Sequence, residues 1–237
     1  GDGWSVGGAF AYDALGKFEF GNQRAEGDDG EALHLGLGVA RTFGTDGRGS
    51  AGLNLAAGWQ KQTMTRVQDI FGPSVGTSRV RSDYLAANLN LGYSFGSGPW
   101  FVRPNVDASA IRLSLDSFGE QGLGGLGMAV DQSDEWYLAI EPKLTVGARF
   151  DQVRFTVTGG GMFANRDAIH APMRFLGAGA SSDAADINTL IDDQAFVGGV
   201  ELGVDASNRF DVSVGYQGYL GSQVESHTAT LNMRLRF

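Results

Sequence analysis

Apolar residues at every second position, sustained through segment after segment, constrain this chain more than any other feature of it. From Ala32 to Phe43, Leu33, Leu35, Leu37, Val39 and Phe43 fall on one face of an extended strand, and His34, Gly36, Gly38, Ala40 and Thr42 on the other. Leu85 to Phe95 repeats the pattern, with Leu85, Ala87, Leu89, Leu91, Tyr93 and Phe95 opposite Ala86, Asn88, Asn90, Gly92 and Ser94. A period of two cannot form the stripe of an α-helix, whose faces return every ~3.6 residues. The same reading predicts strands over Trp4–Tyr12, Lys17–Asn22, Leu53–Trp59, Trp100–Leu113, Trp136–Phe150, Val153–Phe163, Phe196–Asp205, Phe210–Leu220 and His227–Phe237, eleven with the first two. No apolar run approaches the ~18 residues of a membrane helix.

The connections alternate as regularly as the residues do. Short ones fall at Asp13–Gly16, Gly44–Gly49, Gly96–Pro99, Asp151–Gln152 and Ala206–Arg209, and they carry turn chemistry such as Thr45-Asp46-Gly47 and Ser97-Gly98-Pro99. Long ones fall between them, at Gln23–Glu31, Gln60–Asp83, Ser114–Glu135, Ala164–Ala195 and the briefer Gly221–Ser226. A meander with tight turns at one end and long loops at the other is an up-and-down antiparallel barrel. In outer-membrane barrels the tight turns face the periplasm and the long loops the exterior. Nothing interrupts the meander, so residues 1–237 are expected to form a single all-β domain.

Which face is wet follows from chemistry. A closed barrel of about a dozen strands is too wide for side chains to fill, so its apolar face must look outward. The other face is small and polar, with charges spaced along it: Arg103 and Asp107; Glu141, Lys143 and Arg149; Arg154; Glu201 and Asp205; Arg234. These are expected to line a pore, with Glu141 and Arg154 brought near each other by the turn at Asp151–Gln152. Only three of the 18 basic residues are lysine, whereas arginines facing carboxylates suit a wet lumen. Aromatic residues sort to the ends of the apolar face as two belts. Tyr12, Tyr93 and Trp100 are expected at the tight-turn end, and Trp4, Trp59 and Trp136 at the long-loop end. Pro104 and Pro142 lack the N–H a ladder needs, and bulges or ordered water are expected beside them.

At this point the chain resembles the C-terminal translocator domain of bacterial autotransporters, the type V secretion barrel. The residues that carry the resemblance are the last strand, His-Thr-Ala-Thr-Leu-Asn-Met-Arg-Leu-Arg-Phe over residues 227–237, the loop entry Ser117-Phe118-Gly119-Glu120-Gln121-Gly122, and Gly58-Trp59-Gln60-Lys61-Gln62-Thr63 leading into the second long loop. The resemblance implies an outer-membrane barrel of a Gram-negative bacterium that anchors a passenger polypeptide and provides its route to the cell surface. It implies twelve strands preceded by a helix through the pore. With eleven strands in view, the first strand and that helix are expected to be missing upstream. It also implies that Leu231, Met233, Leu235 and Phe237 form an insertion signal read by the barrel-assembly machinery. Expected partners are therefore outer-membrane lipid, the chain's own passenger and that machinery, with the barrel a monomer. A small diffusion channel or a loop-based adhesin is the alternative.

Other chemistry finds little purchase. The net charge of -9 and pI near 4.7 argue against a nucleic-acid partner. With no cysteine, thiol catalysis and Cys-zinc sites are excluded, and His34, His170 and His227 sit on different elements, so no metal or other cofactor is expected. Gly122-Leu123-Gly124-Gly125-Leu126-Gly127 fits G-x-G-x-x-G but lies in a long loop rather than between a strand and a helix. Ser94-Phe95-Gly96 spans a strand end and a turn, not the central helix of a fluorescent can. No G-x-S-x-G elbow occurs, and no catalytic residue is assigned.

Overall fold

Strands form where the alternation places them, and most run beyond it. The computed structural model describes residues 3–15, 18–19, 25–69, 72–178, 185–207 and 210–235. In chain order the strands are β1 (Gly3–Leu15), β2 (Phe18–Glu19), β3 (Ala25–Phe43), β4 (Gly49–Gln68), β5 (Ser74–Tyr93), β6 (Trp100–Leu115), β7 (Phe118–Gly119), β8 (Met128–Val130), β9 (Ser133–Phe150), β10 (Val153–Ala164), β11 (Ala168–Phe175), β12 (Ala185–Leu190), β13 (Gln194–Ser207), β14 (Phe210–Gly221) and β15 (Glu225–Leu235). Ten of them make one antiparallel path, β1-β3-β4-β5-β6-β9-β10-β13-β14-β15, with β2 paired to β3 off that path. The sheet curls into part of a barrel. Among the described residues β1 pairs with β3 alone and β15 with β14 alone, so the two edges do not meet.

Two expectations about the start of the chain give way here. The eleventh strand of the sheet is the two-residue β2, and it does not cross, because β1 pairs directly with β3 from Gly3↔Thr42 to Leu15↔Gly30. Asp13–Gly16 is therefore no tight turn between neighbouring strands, and the chain reaches β3 at the long-loop end. Gly3 then lies beside Thr42 at the short-turn end, which reverses two belt positions: Trp4 pairs with Arg41 at the short-turn end, and Tyr12 pairs with Leu33 at the other. The sequence reading failed because Asp13-Ala14-Leu15-Gly16 has turn composition while the pairing that overrides it is non-local.

The long connections hold more structure than loops. Gln60–Asp83 is largely ladder: β4 and β5 pair without a slip from Gly49↔Tyr93 to Gln68↔Ser74. Its Thr and Val content, including Thr63, Thr65, Val67, Val75, Thr77 and Val80, suits a strand that no longer needs an apolar face. β7 and β8 from Ser114–Glu135, with β11 and β12 from Ala164–Ala195, form a second sheet in the order β12-β11-β8-β7. At the other end the chain turns in the fewest residues possible. Asp151 takes a φ of 45° between β9 and β10, a left-handed conformation that Asp tolerates better than most residues.

The prolines sit without bulges. Pro104 faces Leu144 on β9, while on its other side the β5–β6 ladder has stopped at Gly92↔Asn105. Pro142 faces Val106 on β6, and on its other side the β9–β10 ladder lapses between Lys143 and Ile140 and resumes in the same register. Each missing N–H thus points at a gap in one ladder while the other continues.

There is no apolar interior of the ordinary kind. Among the described residues the buried apolar side chains are few and mostly small, Ala32, Ala148 and Ala168 with Leu123, Val130 and Met162. The large apolar residues are outside: Leu37 is 68% exposed, Leu89 41% and Leu144 50%. A contiguous exposed apolar surface of this extent is unstable in water and requires an apolar surrounding.

Candidate functional site

The concave face of the sheet holds the candidate site. Inward positions are every second residue of each strand, and across β5, β6, β9, β10 and β13 they carry Asn88, Asn90, Arg103, Asn105, Asp107, Glu141, Lys143, Thr145, Arg154, Thr156, Thr158 and Glu201. Register brings them into one hydrogen-bonded lattice. The Lys143 ammonium donates to Glu141 at 3.1 Å and pairs with Asp107, to which the Asn90 amide also donates. Asn88 donates to Ser109 at 2.9 Å, Asn105 to Thr145 at 3.2 Å, and the Thr145 and Thr158 hydroxyls share a bond of 2.8 Å. The Arg154 guanidinium pairs with Glu201 at 2.9 Å. Glu141 and Arg154 do not meet, contrary to the sequence reading. Lys143, two residues along the same strand, satisfies Glu141, while Glu201 approaches Arg154 from β13 on its other side.

These walls enclose connected space. A cavity of about 530 Å³ in the middle of the concave face is lined by Asn90, Asp107, Glu141, Lys143, Tyr216 and Thr230 among others. A second, of about 620 Å³, opens at the short-turn end, and Asn105, Thr145, Thr156, Thr158 and Glu201 line both. The result is a continuous polar groove down the inside of an apolar-coated wall. Rings mark the outer surface at its ends. Tyr93 and Phe95 lie 4.9 Å apart, Trp100 and Phe150 meet edge-on at 5.8 Å, and the Arg41 guanidinium sits 5.2 Å from the Trp4 ring, all at the short-turn end. Trp59 and Trp136 are exposed on the outer surface toward the long-loop end.

A model of the autotransporter beta-domain matches residues 1–217 of the chain. The chain belongs to the autotransporter beta-domain family. Among solved structures, the translocator domain of the autotransporter NalP from Neisseria meningitidis is 13% identical with a TM-score of 0.63, over 99% of this chain and 82% of that one, and it shares the fold. The transport unit of the autotransporter AIDA-I from Escherichia coli is 7% identical with a TM-score of 0.44, over 100% of this chain and 84% of that one. No curated protein sequence matches the chain. The protein is thus an outer-membrane translocator barrel of a Gram-negative bacterium, linked to a passenger that it serves to secrete. Its short turns lie at the periplasmic end and its long connections outside.

The extracellular end of this autotransporter barrel holds features that periodicity did not single out. Inward positions there turn apolar: Ile111 and Leu113 of β6, Tyr137 of β9 and Tyr219 of β14 line a cavity of about 300 Å³, closed by Ile169, Ile191 and Val224 from the connections. Asp192, only 3% exposed, fixes that closure by accepting from the Gln223 N–H at 2.7 Å, the Val224 N–H at 3.1 Å and the Ser222 hydroxyl at 3.1 Å. Burial pushes the Asp192 carboxyl up, and these donors outweigh it, holding the carboxyl below its ordinary range. At the same end, over β4, Glu120 is gripped by Arg66 through two bonds of 2.8 and 2.5 Å and by the Met128 N–H at 2.8 Å. Burial raises the Glu120 carboxyl, and Arg66 and Met128 more than reverse that, so it too titrates below the usual glutamate range. A weak sign of these roles was present in the sequence: Glu120 belongs to the loop entry that carried the family resemblance.

The other expected site residues fall as follows. Arg149 faces inward at the periplasmic end. Leu231 and Met233 of β15 are exposed on the outer face. Asp205, Arg234 and Leu235 lie in strands, but their side chains, like all of Phe237, fall outside the described residues.

Proposed function

We propose that the passenger crosses along the polar groove, in an extended or hairpin form, with Asp107, Glu141, Lys143, Arg154 and Glu201 as its lining. The observation that carries this is the shared lining of the central and periplasmic cavities, which makes one water-accessible groove from the middle of the concave face to the short-turn end. The ion cluster of Lys143, Asp107 and Glu141 ties β6 to β9, so these charges hold the wall as well as wet it. Among the described residues the outer edges of β1 and β15 are unpaired.

Narrowing the groove tests the route. Thr158→Trp combined with Thr230→Trp places two rings in the central cavity without touching the outer face. Surface exposure of a fused passenger, read by added protease on whole cells, should fall severalfold while the barrel keeps its heat-modifiable compact band. Undiminished exposure with a folded barrel would rule the groove out as the route.

We propose further that β15 is the strand the assembly machinery reads, by adding it to a sheet edge. Its other edge is unpaired among the described residues, and Leu231 and Met233 continue the outward apolar row. Deleting Phe237 should slow assembly in cells while purified protein refolds into detergent with nearly unchanged stability. Equal losses in both settings would leave Phe237 as one more belt aromatic.

A further inference from the structure

The periplasmic mouth of the groove is lined against the charge of the rest of the protein. The chain carries -9 overall, yet among the described residues the cavity of about 620 Å³ at that mouth is walled by Arg48, Arg103, Arg149 and Arg154 with one carboxylate, Glu201. Arg149 and Arg154 are direct cross-strand partners on the inward face of the β9–β10 hairpin. Like charges placed so repel each other, and the arrangement weakens the ladder unless an anion lies between or above them. Glu201 serves Arg154 only. Arg103 is held by neutral groups, donating to the Asn105 amide oxygen at 2.8 Å and to the Ser50 hydroxyl. Among the described residues the Arg48 and Arg149 guanidinium groups pair with no carboxylate. Asp107 and Glu141, the nearest inward acids on β6 and β9, are occupied by Lys143, and neither they nor Asp211 line this cavity.

We infer that this mouth is an anion-binding site for carboxylate-bearing segments of the polypeptide in transit. The inference rests on the groove being the route. Anything entering from the periplasmic side passes these four guanidinium groups before it reaches the balanced charges of the central cavity. Arginine suits the task because its planar fork donates two parallel bonds to a carboxylate and keeps its charge at any physiological pH. A cationic ring at a pore mouth also raises the local concentration of anionic segments and delays cationic ones.

The absence of cysteine from the chain gives a clean reporter. Ser94, which lines the same cavity, can be changed as Ser94→Cys and labelled with an environment-sensitive fluorophore in the full chain held in lipid nanodiscs. The probes are three Gly/Ser peptides of equal length bearing glutamates, no charge or lysines, with inorganic phosphate as a separate arm. The glutamate peptide is expected to bind about tenfold or more tightly than the neutral one, and the lysine peptide more weakly than either. Arg103→Gln with Arg149→Gln should abolish the preference, and Glu201→Gln, which removes the one opposing charge among the described residues, should increase it. The second variant keeps the test alive if the first fails to fold. Equal affinity for all three peptides would overturn the inference, as would a response to phosphate without a preference among peptides, or a preference unchanged in both variants. Passenger exposure on cells separates the two readings. Normal export alongside indifferent peptides sinks the anion site alone, whereas export unaffected by the groove-narrowing tryptophans sinks the route.

Discussion

The two ends of this barrel wall are made from the same ladder and treat it in opposite ways. At the periplasmic end, strands are joined by turns as short as Asp151–Gln152, and the inward face is charged and crowded with arginine. At the extracellular end, strands overrun the apolar band, the connections fold into a sheet of their own, and the inward face becomes apolar at Ile111, Leu113, Tyr137 and Tyr219. One end is held by ladder pairing, aromatic rings and the bonds its inward arginines make to Glu201, Asn105 and Ser50. The other is fastened by two buried carboxylates, Glu120 and Asp192, each satisfied by several donors. The difference teaches where tertiary contacts can be spent: loops outside have room to pack, while the turns between membrane and periplasm do not.

The largest expected effect tests what the two ends share. Leu89→Arg puts a charge on the outward apolar row between them and should cost about 2–4 kcal/mol in a lipid-reconstituted unfolding titration. Asn90→Ala, one residue away and inward, removes a donor to Asp107 and should cost about 0.5–1.5 kcal/mol. Equal costs would mean that the faces are reversed.

A smaller effect should appear at the extracellular end alone. Arg66→Ala leaves the buried Glu120 carboxylate without its main partner, a loss of about 1–3 kcal/mol in the docking of the loop onto β4. Because the folded Glu120 titrates below its ordinary 4.5, its contribution is fully present above that value and fades as the pH drops through the depressed one. Protection of residues 118–130 from hydrogen exchange should therefore weaken only in acid, and Glu120→Gln should remove that pH dependence. Weakening that begins at neutral pH would assign the fastening to another group.

The smallest effect is local to the outer cavity. Asp192→Asn keeps the shape but loses an acceptor's charge, and cleavage by protease within 165–193 should quicken while the barrel's unfolding midpoint stays put. Gly221→Ala should do the same from the other side, since a Cβ there would collide with the Asp192 carboxylate. A change in the midpoint for either would show that the two ends are coupled.

Much of the wall was legible in the sequence. The period of two marked the strands from Leu33 to Leu231, and the contrast of Leu89 with Asn90 assigned inside and outside, because each residue's direction in a strand is a local property. Tight turns were legible where they were true turns, as at Asp151–Gln152. The site residues Asp107, Glu141, Lys143, Arg154 and Glu201 were legible as inward charges, but their partners were not. The hairpin that seemed to join Glu141 to Arg154 counted for less than the neighbour on the far strand.

What the sequence determined by itself was alternation and the chemistry of the two faces, since these need only the chain's own pleat and the cost of apolar surface in water. Which strand lies beside which was decided by the tertiary structure. It left β2 beside β3 rather than crossing, exchanged the ends of Trp4 and Tyr12, and set Arg149 opposite Arg154 in a cavity with one carboxylate among the described residues. It also built the outer sheet and brought Asp192 to Ser222–Val224, more than two dozen residues away. Such contacts depend on register and loop closure across distant segments, and no periodicity within a segment encodes them.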